Sequence, residues 1–461
     1  MFRLPIFCVL VFSTALLQSL VGQEKITYEE HVKPIFRQHC LKCHGNDKQK
    51  AGINLQSFGD AMKGGSGGEI LIAGRSSQSL LYQSLIDEDD DLRMPPNKPP
   101  IPADQIEMVR KWIDTGMLET ASSKAMAEVR DLSFQPTGDV ASKPDVPVMP
   151  SNLPTVKVRE TSRPLPVLAL DTSPWAPLVA VAGQEHIRLL NTETEQEIGK
   201  LPFPEGVPHV IRFSRNGAVL LVAGGRPVKN GLVVLFDVKT GKRLAEIGDE
   251  LDVVLAADLS PDQELVALGG SGKIVKVYST KTGEELYQLT KHTDWITTLA
   301  FSPDGKQLAT GDRVGAIHLW DAKQGGLMLN LAEHKSAITS LDWRSDSKFL
   351  ASAGEDGRIV WWEAKDGFPA INKAKDHPTP RPPGVKYGEM PSGVLAARFG
   401  PKGNLATGGR NSVVHLYDAK GNALKKYRVD GDIPLSIAVT HDTKHFVAGY
   451  LSGLVKFWRA E

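Results

Sequence analysis

Cysteine is nearly absent: the 461 residues contain three, Cys8, Cys40 and Cys43. That excludes the disulfide scaffold on which many small exported domains rely. Surplus charge of either sign is missing too, since Lys+Arg and Asp+Glu each number 54. Nothing in that balance favours nucleic acid or an anionic membrane as partner. Beyond the first two dozen residues no run is long and apolar enough to cross a bilayer. What is present is globular in composition, with 41% hydrophobic and 23% charged residues. The length exceeds one ordinary compact core, so two or more domains are expected.

The first segment reads as an export signal. Met1-Phe2-Arg3 is followed by an apolar run from Leu4 to Leu20, with cleavage expected after Gly22. Residues 1–22 are therefore a signal peptide, and the rest is periplasmic or at the cell surface. A retained membrane anchor is the alternative. After cleavage only Cys40 and Cys43 remain, both inside Cys40-Leu41-Lys42-Cys43-His44.

That pentapeptide has the spacing of a haem attachment site. Two thiols three positions apart can each add to a haem vinyl group, and the next residue, His44, then falls under the iron. A redox dithiol would need no histidine and would follow a strand. A zinc site would need about four ligands, and no second cysteine pair exists. A disulfide at this spacing would be strained. One covalent haem c is the expected cofactor, and residues 23–118 the domain that holds it. Glu29 to Gln38 predicts a helix, with Pro34 as an alternative start. Pro102 to Thr115 predicts a second, with Ile106, Val109, Trp112 and Ile113 on one face. Gly-rich and Pro-rich loops lie between them.

For the other side of the iron the candidates are Met62, Met94, Met108 and Met117. Met94 is favoured, because Pro95-Pro96 hold its loop extended. The alternative makes Met94 a core gap-filler. The run Asp87-Glu88-Asp89-Asp90-Asp91 reads either as a docking surface for a basic redox partner or as a solvated loop. Arg93 could meet a haem propionate or that acidic run.

Residues 119–160 read as a Pro-rich linker. From 161 to 461 the chain repeats. Strand-like runs end at Leu190-Asn191, Phe236-Asp237, Tyr278-Ser279, Trp320-Asp321, Trp362-Glu363, Tyr417-Asp418 and Trp458-Arg459. The steps from 237 to 279, 321 and 363 are each 42 residues. Such a period, with four strands per unit, predicts propeller blades, here seven. The chain stops after the third strand of the last unit, and Thr155 to Val158 are placed to supply the closing strand. An insertion from Gly367 to Gly393, rich in proline, breaks the period; it is either functional or a tolerated surface loop.

These repeats resemble the WD40 family, whose blades are tied by a His, a Ser or Thr, an Asp and a Trp. His334, Ser352, Asp356 and Trp362 match the whole set. The preceding unit offers His292, Thr310 and Trp320 but Val314 where the Asp is expected. His318 and His415 occupy equivalent strand positions, which also suits a scaffold role. Residues 26 to 116 resemble the small cytochrome c domain of planctomycete surface proteins. Gly74, Ser79-Leu80-Leu81-Tyr82, Arg93-Met94-Pro95-Pro96 and Trp112-Ile113 carry that likeness. The resemblance implies a small all-α, class I-like fold and makes Met94 the distal ligand.

The expected whole is a multidomain chain, an all-α cytochrome followed by an all-β propeller. It would carry single electrons to and from redox partner proteins, while the propeller binds a protein or surface ligand. Two rivals are kept. One is a haem-dependent oxidoreductase with a second redox centre in the propeller. The other is a redox-sensing scaffold.

Overall fold

The computed structural model describes residues 25–460, except 75, 77–78, 88, 91, 97, 127–133, 135–139, 141, 156–163, 374–375 and 378–392. The expected signal segment and Cys8 lie outside the described residues. Two compact units divide the chain, 1–129 and 130–461.

In the first unit a wide turn at Tyr28–Val32 runs straight into helix α1 (Lys33–His39). Both expected starts thus describe part of one element. Pro34 sits in the first turn of α1, where its missing N–H breaks no helical hydrogen bond. The Thr27 side chain caps the preceding turn by accepting from the Glu30 N–H. The region expected to be loop contains two more helices, α2 (Phe58–Ala61) and α3 (Leu80–Ile86). Seven residues are too few for a helical period to stand out, so α3 escaped the sequence. Helix α4 (Ala103–Asp114) buries Val109, Trp112 and Ile113, as the apolar stripe predicts.

Tyr28 organises this small core. Its ring lies 5.8 Å from Trp112 and 5.7 Å from Phe58. Its hydroxyl donates to Leu55 O at 2.8 Å, and its N–H to Leu118 O at 2.8 Å. Trp112 Nε1 donates to the same Leu118 carbonyl at 2.9 Å. The beginning and end of the unit are thereby joined. The described part of the expected 119–160 connector is not loose. Met126 N–H donates to Gly116 O in the first unit. In the second, Ser151 N–H donates to Lys239 O, and Leu153 packs in the apolar cluster of the first blades.

The second unit is a seven-bladed β-propeller. Six sheets have four strands and the seventh, among the described residues, has three. The seven run endings read from the sequence fall at the third strand of each blade, for example Ile317–Asp321 and Ile359–Glu363. Second strands such as Leu178–Ala182 are buried along their whole length, because neighbouring blades cover both faces. Outer strands such as Ala423–Arg428 face water.

Blades meet through close backbone approach. A β-carbon on Gly311 would lie 2.9 Å from Ile338 of the next blade. Gly449 of blade 7 stands in the same relation to Val167, just before blade 1. Val167 N–H donates to Tyr450 O, and its carbonyl accepts from Ser436 Oγ at 2.9 Å. Thr172 Oγ1 adds a bond to Val439 O at 2.8 Å. The ring is therefore closed at its inner strands. The strand expected from Thr155 to Val158 lies outside the described residues, save Thr155, which is not in a strand.

Three carboxylates at one repeat position tie alternate blades. Asp171, Asp258 and Asp342 accept the N–H of Phe213, Phe301 and Phe399, each in the following blade. Arg398 occupies the same position in blade 6 and reaches Asp342 at 3.3 Å and Asp171 at 3.5 Å. Arg212 reaches Asp342 at 3.8 Å. Burial pushes the carboxyls of Asp171 and Asp342 up to about 6, although the arginines oppose it.

The side-chain network of blade 5 is complete. His334 contacts Asp356 at 3.1 Å and Ser352 Oγ at 2.7 Å, and Trp362 Nε1 donates to Ser352 Oγ at 2.8 Å. Blade 4 corrects the expectation of a missing Asp at Val314. Asp312 meets His292 Nδ1 at 2.9 Å, while Thr310 Oγ1 serves His292 and Trp320. The carboxylate stands two residues early, and it also accepts the N–H groups of Val314 and Ala316. A third network arises from the supposed insertion. Its Pro369–Lys373 is the outer strand of blade 5. His377 contacts Thr407 Oγ1 at 2.8 Å and Asn411 at 3.2 Å. Pro378, Pro380, Pro382 and Pro383 lie outside the described residues. His318 and His415 stack on His292 and His377, with ring centres 4.5 and 4.3 Å apart.

Two outcomes follow. Ser352→Ala leaves His334 Nε2 and Trp362 Nε1 buried without their partner and should cost about 2–5 kcal/mol in urea unfolding. Burial holds His377 down at about 4 and His415 down at about 3. Such histidines stay neutral when folded but take up protons when unfolded. Their contribution is complete above about 6.5 and is lost as pH falls toward 4. Asp171 and Asp342, raised when folded, run the opposite way between about 3.8 and 6. The difference between the native chain and His377→Gln removes that opposing trend. The native chain should lose stability relative to the variant, by a few kcal/mol, between about pH 6.5 and 4. A constant difference across that range would refute the assignment.

Candidate functional site

The Cys40–His44 segment is delivered by the end of α1. Cys40 N–H donates to Phe36 O at 2.7 Å, so Cys40 still belongs to the last helical turn. The chain then folds back tightly: Cys43 N–H and His44 N–H both donate to Cys40 O at 3.0 Å. His44–Gly45 and Lys48–Gln49 pair as a short hairpin, and His44 O accepts from Leu55 N–H at 2.8 Å. A β-carbon on Gly45 would lie 2.6 Å from Leu41 O, so glycine is needed where the hairpin crosses the turn. In the sequence, only the place of Gly45 directly after the histidine signals this need.

Both thiols are free and partly exposed. The Cys40 thiol is pushed up to about 12 by burial, with a smaller contribution from Cys43. His44 Nδ1 is buried and has no hydrogen-bond partner. Helix α1, not a strand, leads into the pair, unlike a thioredoxin-type dithiol. No cluster of three or more candidate metal-binding side chains stands among the described residues, which leaves a zinc site without ligands.

The four methionines separate by position. Met117 is 2% exposed, and Met62 and Met108 pack against the same core. Met94 is 37% exposed, so it is not a core gap-filler. Its N–H donates to Ser84 O of α3 at 2.7 Å. The hydrogen bonds that hold its loop run to α3 and not to the Cys40–His44 turn. In the same stretch of chain Leu80, Ile86 and Leu92 are 55%, 49% and 61% exposed. Arg93 turns to the acidic run, pairing with Asp90 and with the Asp87 carbonyl. Asp90 is largely solvent-exposed, so that pair contributes at most about 1 kcal/mol and is readily released. Glu88 and Asp91 lie outside the described residues.

These features fit a covalently held haem. Two free thiols share one turn, and an imidazole with an orphaned ring nitrogen follows them. Cys40, Cys43, His44 and Met94 are the residues that would hold the group.

Residues 40–98 match the family model for planctomycete cytochrome C. The match begins at Cys40 and takes in Met94. The WD domain, G-beta repeat model matches residues 283–321 and 325–363. Those two units end on the third strands of blades 4 and 5, which carry the complete His–Ser/Thr–Asp–Trp networks. A solved structure, that of the RRP9 WD40 repeats, superposes with a TM-score of 0.54 at 16% identity. It covers 63% of this chain and 88% of that chain, and the likeness is one of fold. A search of curated proteins returned no match. The chain thus joins a cytochrome c-type domain to a WD-type propeller.

In protein prepared without haem, Cys40 should react slowly with iodoacetamide at pH 8, because its thiolate is scarce. Raising the pH should speed the reaction steeply. Mass mapping of the alkylated peptide checks this, and fast labelling of Cys40 at pH 8 would contradict it.

Proposed function

We propose that this chain is an exported electron carrier with one covalent haem, whose propeller engages a partner protein. The observation that carries the reading is the Cys40–His44 turn, with two free thiols, the orphaned His44 Nδ1 and no third cysteine after residue 43. Haem supplies a reversible one-electron couple when bound. The protein's part is to fix it. Cys40 and Cys43 would hold it covalently, and His44 and Met94 would offer a ring nitrogen and a thioether to its iron. A histidine–methionine pair raises the potential relative to two nitrogens and leaves no open iron position for substrate.

His292, His334 and His377 are engaged by blade networks, which supports a scaffold role for them. Its central channel encloses about 120 Å³. That is well below the roughly 300–1,000 Å³ of an ordinary ligand site. The ion pairs of Arg212 and Arg398 cross it. Export rests on the apolar segment of residues 1–22.

Optical spectroscopy of protein made in an exporting host tests the reading. Haem should stay with the protein through acid–acetone extraction, at one per chain. Met94→Ala should abolish the methionine-to-iron charge-transfer band and lower the reduction potential. Extractable haem would refute covalent attachment, and an unchanged Met94→Ala spectrum would refute the distal assignment. Two haems per chain would transfer the case to the oxidoreductase reading.

A further inference from the structure

The joints between an outer strand and the next blade are filled either by the connector or by a large side chain. One repeat position decides which. Gly199, Ala245, Tyr287 and Leu329 hold it in the outer strands of blades 1 to 4, each opposite the third-strand residue two places before that strand ends. In blade 1 the glycine leaves room that the connector takes: a β-carbon on Gly199 would lie 2.6 Å from Leu153 Cδ1. In blade 2 the alanine is small as well, and Phe134 of the connector packs in the apolar cluster that holds Ala245 and Tyr278 of blade 3. In blade 3 the Tyr287 ring itself reaches the turn after the third strand of blade 4, where a β-carbon on Gly325 would lie 2.7 Å from it.

Each filler also meets a carbonyl of that turn in the following blade. Lys239 O accepts from Ser151 N–H at 2.7 Å, Thr280 O from Phe134 N–H, and Ala322 O from the Tyr287 hydroxyl. The joint between blades 4 and 5 has no such filler among the described residues. Its repeat position is Leu329, which has no hydroxyl to donate. Ala364, like Thr280 and Ala322, directly follows the last residue of a third strand. Its carbonyl accepts from Gln307 Nε2 at 3.3 Å, and the same amide lies 3.9 Å from Met328 Sδ. A groove of about 830 Å³ opens there, with Gln307, Met328, Phe349 and Ala364 in its lining. Met328 is 48% exposed. The volume is that of an ordinary ligand site, roughly 300–1,000 Å³.

Four lysines and four carboxylates border the groove, so charge selects no sign of partner. The connector shows what fits such a joint. Residues 151–155 lie outside any helix or strand, place one apolar side chain in the gap and donate a backbone N–H to the turn. We propose that the groove between blades 4 and 5 docks a short non-helical segment of a partner protein, with a Leu or Phe set against Met328 and a backbone N–H donated to Ala364 O. The proposal rests on reading the propeller as an interaction module and adds the place and the partner's chemistry. A nucleic acid fits less well, because lysines matched by carboxylates offer its phosphates no net attraction.

The test uses the full haem-loaded chain as bait for a random dodecapeptide phage library. Met328→Glu, which sets a charge in the groove, serves as the counter-bait. Clones selective for the unaltered chain should share a Leu, Phe or other apolar anchor and no common charge. A synthetic peptide of that consensus should lose roughly tenfold or more in affinity on Met328→Glu, and should respond little to salt. Leu329→Tyr brings to this joint the residue that fills the preceding one. It should block the peptide equally, with the melting temperature unchanged or raised. Binding that survives either variant, or a charged consensus that weakens steeply with salt, would overturn the proposal. So would self-association of the chain that Met328→Glu abolishes, which would make a second copy the occupant. Clones that bind all baits alike would count against the groove and leave the interaction module standing elsewhere. No clones at all would count against both. The haem spectrum of each bait reports on the electron carrier separately.

Discussion

The propeller depends on how closely one blade can approach the next. Each sheet has two faces to bury, and the only available cover is the neighbouring sheet. Hence the second strands are buried throughout, and a residue with no side chain stands where the next innermost strand crosses. Gly311 against Ile338 and Gly449 against Val167 are the same joint, one within the repeat and one where the ring closes. A ring is stable only if the last joint is as good as the others, since an open joint exposes two apolar faces at once. Val167 makes that joint with backbone and side chain together.

Polar groups make the joints specific. Asp171, Asp258 and Asp342 each satisfy a backbone N–H of the following blade, and the arginines across the channel offset their charge. Buried carboxylates of this kind are costly unless paired. The histidine networks act within a blade. In each, a hydroxyl on the second strand joins a histidine from the preceding loop to an aromatic or amide partner. These demands engage His292, His334 and His377.

The small unit is built by different rules. About one hundred residues give little core, and Tyr28 and Trp112 account for much of it by joining both ends to one carbonyl. Among the described residues Leu80, Ile86 and Leu92 are left exposed. The Cys40–His44 turn grows directly out of the end of α1.

The attachment motif, the seven blades and the two main helices were legible in the sequence, because each follows from spacing along the chain. Two thiols and an imidazole act through their separation, and blades through a 42-residue step. Helix α3 was not legible, being too short to show a period. Asp312 in place of a residue at Val314, and His377 inside an apparent insertion, were missed for another reason. A hydrogen-bond network requires atoms to meet in space and tolerates a shift of two residues in the loop that carries them. The sequence favoured Met94 for its rigid Pro95-Pro96 loop, and burial adds that its thioether is exposed while Met62, Met108 and Met117 are packed. The sequence by itself determined where the cytochrome c-type motif stands and how often the sheet repeats. Tertiary structure decided which side chains complete each network, how the ring closes and which apolar surface is left facing water, because these depend on distances between residues far apart in the chain.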